Sequence, residues 1–311
     1  MAQVGADTSP LVQPTQSTRF WIDDGSVVFR AGDVLYKVHL SHLKQLSPVV
    51  RGIFEIPDSM TGAKQGSEEN PIILEFFSAV VFDDFLSWIY RAEWQPIENI
   101  QDVEIRERML VNLLQVARLW DIAEAVAHTK HHLDLMYLRP SRRLELARMY
   151  TLYDWIDDAV WKLVTGKLEW LTNEDLARLG VKVYSIIASA KEGLWYETRL
   201  SCRVPPEVSL ANPAWVSDEH NHRVCAEVFN EIWWTRIAKK MMDPVKPLHF
   251  CEVAAEVKST VFQVQRAGTW KKMEDACKDD MVAMIERENF FSEKALIYAA
   301  SRAVEKYFSS L

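Results

Sequence analysis

The spacing of apolar positions gives the chain two parts of different character. From Ser26, the run SVVF is followed by Gly32-Asp33 and then by VLYKV. Two short β-branched runs around a glycine turn predict a tight hairpin. Beyond it Leu43, Leu46, Val49, Val50, Ile53 and Phe54 fall at helical spacing. Pro48 lacks an amide donor and crowds the preceding turn, which predicts a break between two short helices. The polar stretch PDSMTGAKQGSEENP predicts an exposed loop, and PIILEFF a short buried strand. VVFDDFLSWIYRAEW predicts a helix through Phe82, Phe85, Leu86, Ile89 and Tyr90 that stops at Trp94-Gln95-Pro96. Between Val103 and Leu138 two helices are expected, one carrying Met109, Leu110, Leu113, Leu114 and Ala117, the next starting near Ile122.

Arg139-Pro140-Ser141-Arg142-Arg143 interrupts this periodicity and sets a domain boundary after residue 138. Strand signals then cease. Ile156, Ala159, Val160, Leu163 and Val164 mark one helical face. Thr172 before Asn173-Glu174-Asp175 reads as an N-cap with first-turn acids, and Leu176, Leu179, Val183, Ile187 and Ala190 continue that helix. Residues 201–222, with Pro205, Pro206 and Pro213, predict a long irregular connection. Four helices are expected after it, near 221–242, 247–267, 270–288 and 292–308. Residues 1–18, rich in Pro, Ser, Thr and Gln, read as a mobile tail, with order starting near Phe20. The expected class is α+β, with a mixed domain at 19–138 followed by an all-α domain at 139–311.

Composition narrows the function classes. Across 311 residues, 49% are hydrophobic and 26% charged, the balance of a globular chain. Lys and Arg total 36 against 44 Asp and Glu, a net charge of −8, which disfavours a nucleic-acid binder. The best apolar run, Pro71 to Phe82, is interrupted by Glu75 and falls short of the ~18 to 20 residues a membrane span needs. The start lacks the basic-then-apolar order of a secretory leader. Cys202, Cys225, Cys251 and Cys277 all lie in the second half, so disulfides cannot hold the first half together. Reduced thiols and an intracellular location, cytoplasmic or nuclear, are expected.

The candidate chemistry is sparse. Cys202, His220, His222 and Cys225 are zinc-type ligands in a non-standard spacing, and His128, His131 and His132 sit at i, i+3 and i+4. Unrelated thiols, and histidines complementing a helix end, are the preferred readings. Arg142-Arg143, Lys239-Lys240 and Lys271-Lys272 are scattered among acids and read as solvated faces. Trp155, Trp161, Trp170, Trp233 and Trp234 lie in amphipathic segments and read as core. Glu68-Glu69 and Asp83-Asp84 are sequence neighbours, which does not set two carboxylates across one bond. No catalytic residue, metal site or cofactor is expected. His39, between strand and helix, is expected to hydrogen-bond backbone groups that the helix start leaves unpaired.

The order hairpin, helix pair, lone strand, further helices resembles the BTB/POZ family. Asp24, Tyr36, Val38, His39, Leu43, Ser47, Pro48 and Phe54 match that family's signature run, and the resemblance covers about residues 19–138. Leu40 stands where the family has a basic residue, and Val50 where it has an aromatic. The helical extension is similar to that of fungal BTB proteins. The resemblance implies a non-enzymatic protein-interaction module, acting as a scaffold or by self-association. The alternative is a substrate adaptor docking a cullin-type E3 ubiquitin ligase through the loop before the third strand, here Ile56-Pro57-Asp58. Partners are then proteins, a second copy or a cullin scaffold. Self-association is expected to use Phe20, Trp21, Leu43 and Leu46, unless Phe20 and Trp21 cover the domain's own core.

Overall fold

A computed structural model describes residues 13–55, 65–90, 97–206, 222–248, 250–264, 273–287 and 293–311. The chain divides between Leu138 and Arg139 into two compact units.

Among the described residues the first unit combines a four-stranded mixed sheet with five α-helices, so the α+β expectation holds at that level. Strands β2 (Val27–Ala31) and β3 (Val34–Val38) form the expected hairpin, in register from Val27 opposite Val38 to Ala31 opposite Val34. Its tight turn places Gly32 at φ 57°, a region a Cβ disfavours. Strand β1 (Thr15–Trp21) pairs parallel to β3, so residues 15–18 are not part of a mobile tail; residues 1–12 lie outside the described residues. Its TQST start carries no apolar alternation. What holds it is the free edge of β3, with Ser17 and Phe20 turned inward and the Ser17 hydroxyl accepting from the Phe20 amide at 3.1 Å. Strand β4 (Ile72–Ile73) pairs parallel to β2, and the sheet order is β1-β3-β2-β4.

Helices α1 (Leu40–Leu46) and α2 (Pro48–Ile53) break at Pro48 as expected. Ser47 makes the break stable. Its hydroxyl accepts from the Val50 amide at 3.0 Å and donates to the Trp120 carbonyl at 2.6 Å, while Pro48 occupies the first helical position, where a missing N–H costs nothing. Helices α3 (Ala79–Ile89), α4 (Val103–Leu119) and α5 (Ala123–Leu135) pack in succession. The core they share with the sheet is aromatic. Phe85 and Phe82 meet Trp120 edge-on at 5.3 and 5.9 Å, and Tyr36 meets Phe82 the same way at 5.0 Å.

Among the described residues the second unit is helical. Helix α6 (Pro140–Tyr150) starts on the segment expected to interrupt regular structure, because Pro140 again serves as a first helical residue. Helix α7 (Ile156–Thr165) buries all five residues of its expected face. Helix α8 (Asn173–Arg203) opens with a reciprocal cap between Thr172 and Asp175 and is broken at Gly180, which has φ 68° and ψ 165°. It extends through Cys202, so residues 201–203 are helical rather than irregular; residues 207–221 lie outside the described residues. Helix α9 (His222–Ile232) passes through a π-turn at Trp233–Ile237 into α10 (Ala238–Met241). Helices α11 (Phe250–Val264), α12 (Asp275–Arg287) and α13 (Glu293–Phe308) follow, and α13 returns to pack on α7 and α8. The end of α8 and helices α9 to α12 enclose their own apolar cluster around Phe229, Trp233, Met241, Val257 and Met281.

Candidate interaction surface

His39 stands at the junction of β3 and α1 but does not cap the helix. The amide of Leu40 donates to Ser26 Oγ at 3.0 Å instead. The imidazole spans two other elements, with Nδ1 at 3.1 Å from the Tyr90 hydroxyl and Nε2 at 3.1 Å from Asp24 Oδ1. The His39 amide donates to the same Tyr90 oxygen at 3.1 Å, so His39 engages Tyr90 through both its backbone and its ring. Both ring nitrogens are thus engaged. The group ties the turn before β2, the end of β3 and the end of α3 together, and its chemistry is that of a structural clasp.

Asp83 and Asp84 diverge on α3. Burial pushes the Asp83 carboxyl up, against the opposing pull of Arg19 and of a hydrogen bond with Tyr36. Burial likewise raises Asp84, opposed by the amide of Asn112 at 2.7 Å and by Arg108 at 3.9 Å. Burial and the nearby Asp83 charge hold the Tyr36 phenol above its ordinary range. Tyr36 and Asp84 are buried and Asp83 is half-buried.

The residues expected to carry self-association divide in an unexpected way. Phe20 and Leu43 are each 1% exposed and belong to the unit's own core, Phe20 packing its ring 6.1 Å from Tyr90. Trp21 and Leu46 are half-buried, and the Lys37 ammonium lies 5.7 Å over the Trp21 ring. An exposed aromatic patch therefore does not form there. The register of β1 against β3 shifts between Gln16 and Trp21, and Ser17 and Phe20 both turn inward.

The apolar surface lies on the far edge. PIILEFF was expected to be buried, yet Ile73 is 62% and Phe76 75% exposed, and Val80 in the first turn of α3 is half exposed. Strand β4 occupies the sheet margin and is too short to fold its side chains under a neighbour. A brief turn follows, in which Phe77 goes into the core and Phe76 outward, while the Phe76 carbonyl accepts from Gln115 at 3.2 Å. On α2, Val49 and Ile53 are one turn apart and both exposed, with Val50 between them buried. A continuous apolar run cannot distinguish an edge from a centre, so periodicity missed this strip.

In the second unit, Cys202 and Cys225 are buried inside one apolar cluster. His220 lies outside the described residues. In the first unit, the His128 and His132 rings are tilted to each other with centroids 4.4 Å apart, and His131 meets His132 at 5.2 Å. Among the described residues no three His, Cys, Asp or Glu side chains converge as a metal site would need. No described helix is long and apolar enough to cross a membrane. The tryptophans also split: Trp155 and Trp233 are buried as expected, Trp161 is half-buried, and Trp170 and Trp234 are exposed. No family model, curated protein or solved structure matches the chain.

Proposed function

We propose that this chain acts by binding other proteins, or a second copy of itself, through a BTB-like unit at residues 19–138, and carries out no chemistry of its own. The observation that carries this reading is the exposed strip Ile73, Phe76 and Val80 at the sheet margin. Large apolar side chains held rigidly at a surface lose about 1.5 to 3 kcal/mol each by remaining in water, which association recovers. The signature residues support the same reading. Asp24 and His39 meet in one clasp, and Ser47 and Pro48 build the helix break, so both serve to hold a binding scaffold rigid.

Light scattering after size-exclusion chromatography, with the full chain loaded at about 50 µM, and affinity purification with mass spectrometry test this. A mass above that of the monomer, or a stoichiometric protein partner, is expected, and Ile73→Asp/Phe76→Asp is expected to abolish it without changing the far-ultraviolet dichroism. A monomer without stoichiometric partners would overturn the proposal. So would an association indifferent to that double substitution.

A further inference from the structure

The C-terminal half of α8 and the π-turn with α10 face each other across a cleft of about 740 Å³. Trp195, Tyr196, Arg199, Arg203, Trp234 and Lys239 furnish its ring and charge groups. Trp195 is 56%, Tyr196 59% and Trp234 47% exposed. The π-turn has a direct part in this, since it carries Trp233 into the core and leaves its neighbour Trp234 at the cleft. The charge is one-sided. The chain as a whole carries −8, yet among the described residues three cations and no carboxylate line the cleft. Among the described residues no acid pairs with Arg199, Arg203 or Lys239, whereas Arg178, Lys240 and Arg302 of the same unit each hold a carboxylate.

We infer that this cleft binds an extended acidic peptide segment of a partner protein, with carboxylates at alternate positions next to an aromatic or large aliphatic side chain. The inference stands independently of the surface on the first unit. Trp195, Arg199 and Arg203 repeat every fourth residue along one face of α8. The Arg199 guanidinium carbon lies 4.2 Å from the Trp195 ring centroid, and among the described residues no carboxylate holds that guanidinium, so its N–H fork can make a two-point contact with a carboxylate. Four helical residues advance about 6 Å. Two residues of an extended peptide advance about 6.7 Å, so its alternate side chains come into step with Arg199 and Arg203. The indoles and the Tyr196 ring offer flat apolar area between the charges, and a volume of this size holds a few residues of chain.

Panning a random dodecapeptide phage library on the full chain, followed by fluorescence anisotropy with the labelled consensus peptide, tests this. The selected peptides are expected to be enriched in alternating Asp and Glu with an aromatic neighbour. Binding is expected to weaken at least about tenfold in Arg199→Glu/Arg203→Glu, and to fall as salt rises. All these side chains are exposed, so thermal melts should be unchanged; Arg199→Gln/Arg203→Gln, expected to be intermediate, serves should the reversal disturb folding. No acidic enrichment, equal affinity in the charge variants, or equal binding of a labelled dT12 oligonucleotide would each overturn the inference.

Discussion

Asp175 is a buried carboxylate with a partner for each oxygen. Ser141 donates to Oδ1, and Oδ2 takes the Thr172 amide at 2.9 Å, the Thr172 hydroxyl at 2.8 Å and Arg139 at 3.1 Å. Burial alone would raise its pKa, but Ser141, Thr172 and Arg139 together bring it below the ordinary carboxylate value. A folded-state pKa below the unfolded one means stability that is present above the unfolded value and is lost as pH falls through the folded one. Asp175→Ala is therefore expected to cost about 1 to 3 kcal/mol at neutral pH, and the gap to the wild type should narrow below pH ~4 in urea melts. Asp84 behaves oppositely. Its raised pKa disfavours the charged form, so its contribution is best at low pH and is lost as pH rises. Asp84→Asn keeps an acceptor for Asn112 and is expected to be at least as stable as the wild type at pH 7, with any difference shrinking in acid. The Thr172 cap was legible because its partners are three residues away; Ser141 and Arg139 come from another element and left no local mark.

Helix α8 is continuous in its apolar pattern but bent in space. Leu176, Leu179 and Val183 keep helical spacing across Gly180, whose φ of 68° and ψ of 165° belong to neither helix nor strand. A Cβ placed there would meet no atom within 4 Å, so only the backbone conformation opposes a side chain. Gly180→Ala is expected to cost about 1 to 3 kcal/mol. Gly193, in regular helix, would bring its Cβ into ordinary contact with Leu296 at 3.9 Å, and Gly193→Ala is expected to gain about 0.5 to 1 kcal/mol. Chemical denaturation of the two variants should give shifts of opposite sign. Strand β1 illustrates the converse difficulty. Its binding energy is in backbone bonds to β3, to which the side chains of Thr15, Gln16 and Ser17 give little clue, whereas the hairpin and α7 announce themselves through their own periodicity.

For the molecule as a whole, the two units carry separate cores, one around Phe82 and Trp120, the others within residues 139–311. A fragment of residues 13–138 is expected to melt cooperatively on its own, as followed by circular dichroism. The same fragment begun at residue 22 lacks β1 and the buried Phe20, and should melt at a lower temperature or fail to fold. Apart from β1 and the exposed side of PIILEFF, the order of elements and the apolar faces were legible because they depend on local spacing. The exposed aromatic positions were not, since exposure at Phe76, Trp195 and Trp234 is decided by which neighbours arrive from elsewhere in the chain.

Helix α13 makes this dependence temporal. Arg302 bonds Asp157 at 2.9 Å across 145 residues, and α13 covers α7 and α8. A ribosome adding 5 to 20 residues per second needs roughly 7 to 30 s to pass from one to the other. During synthesis, α7 must wait that long for its last neighbour, while the first unit completes its sheet and its α3–α5 stack from nearby sequence. The nascent second unit is thus the part of this protein with the most need of a holding chaperone, and a translational pause between α8 and α13 would lengthen its exposure.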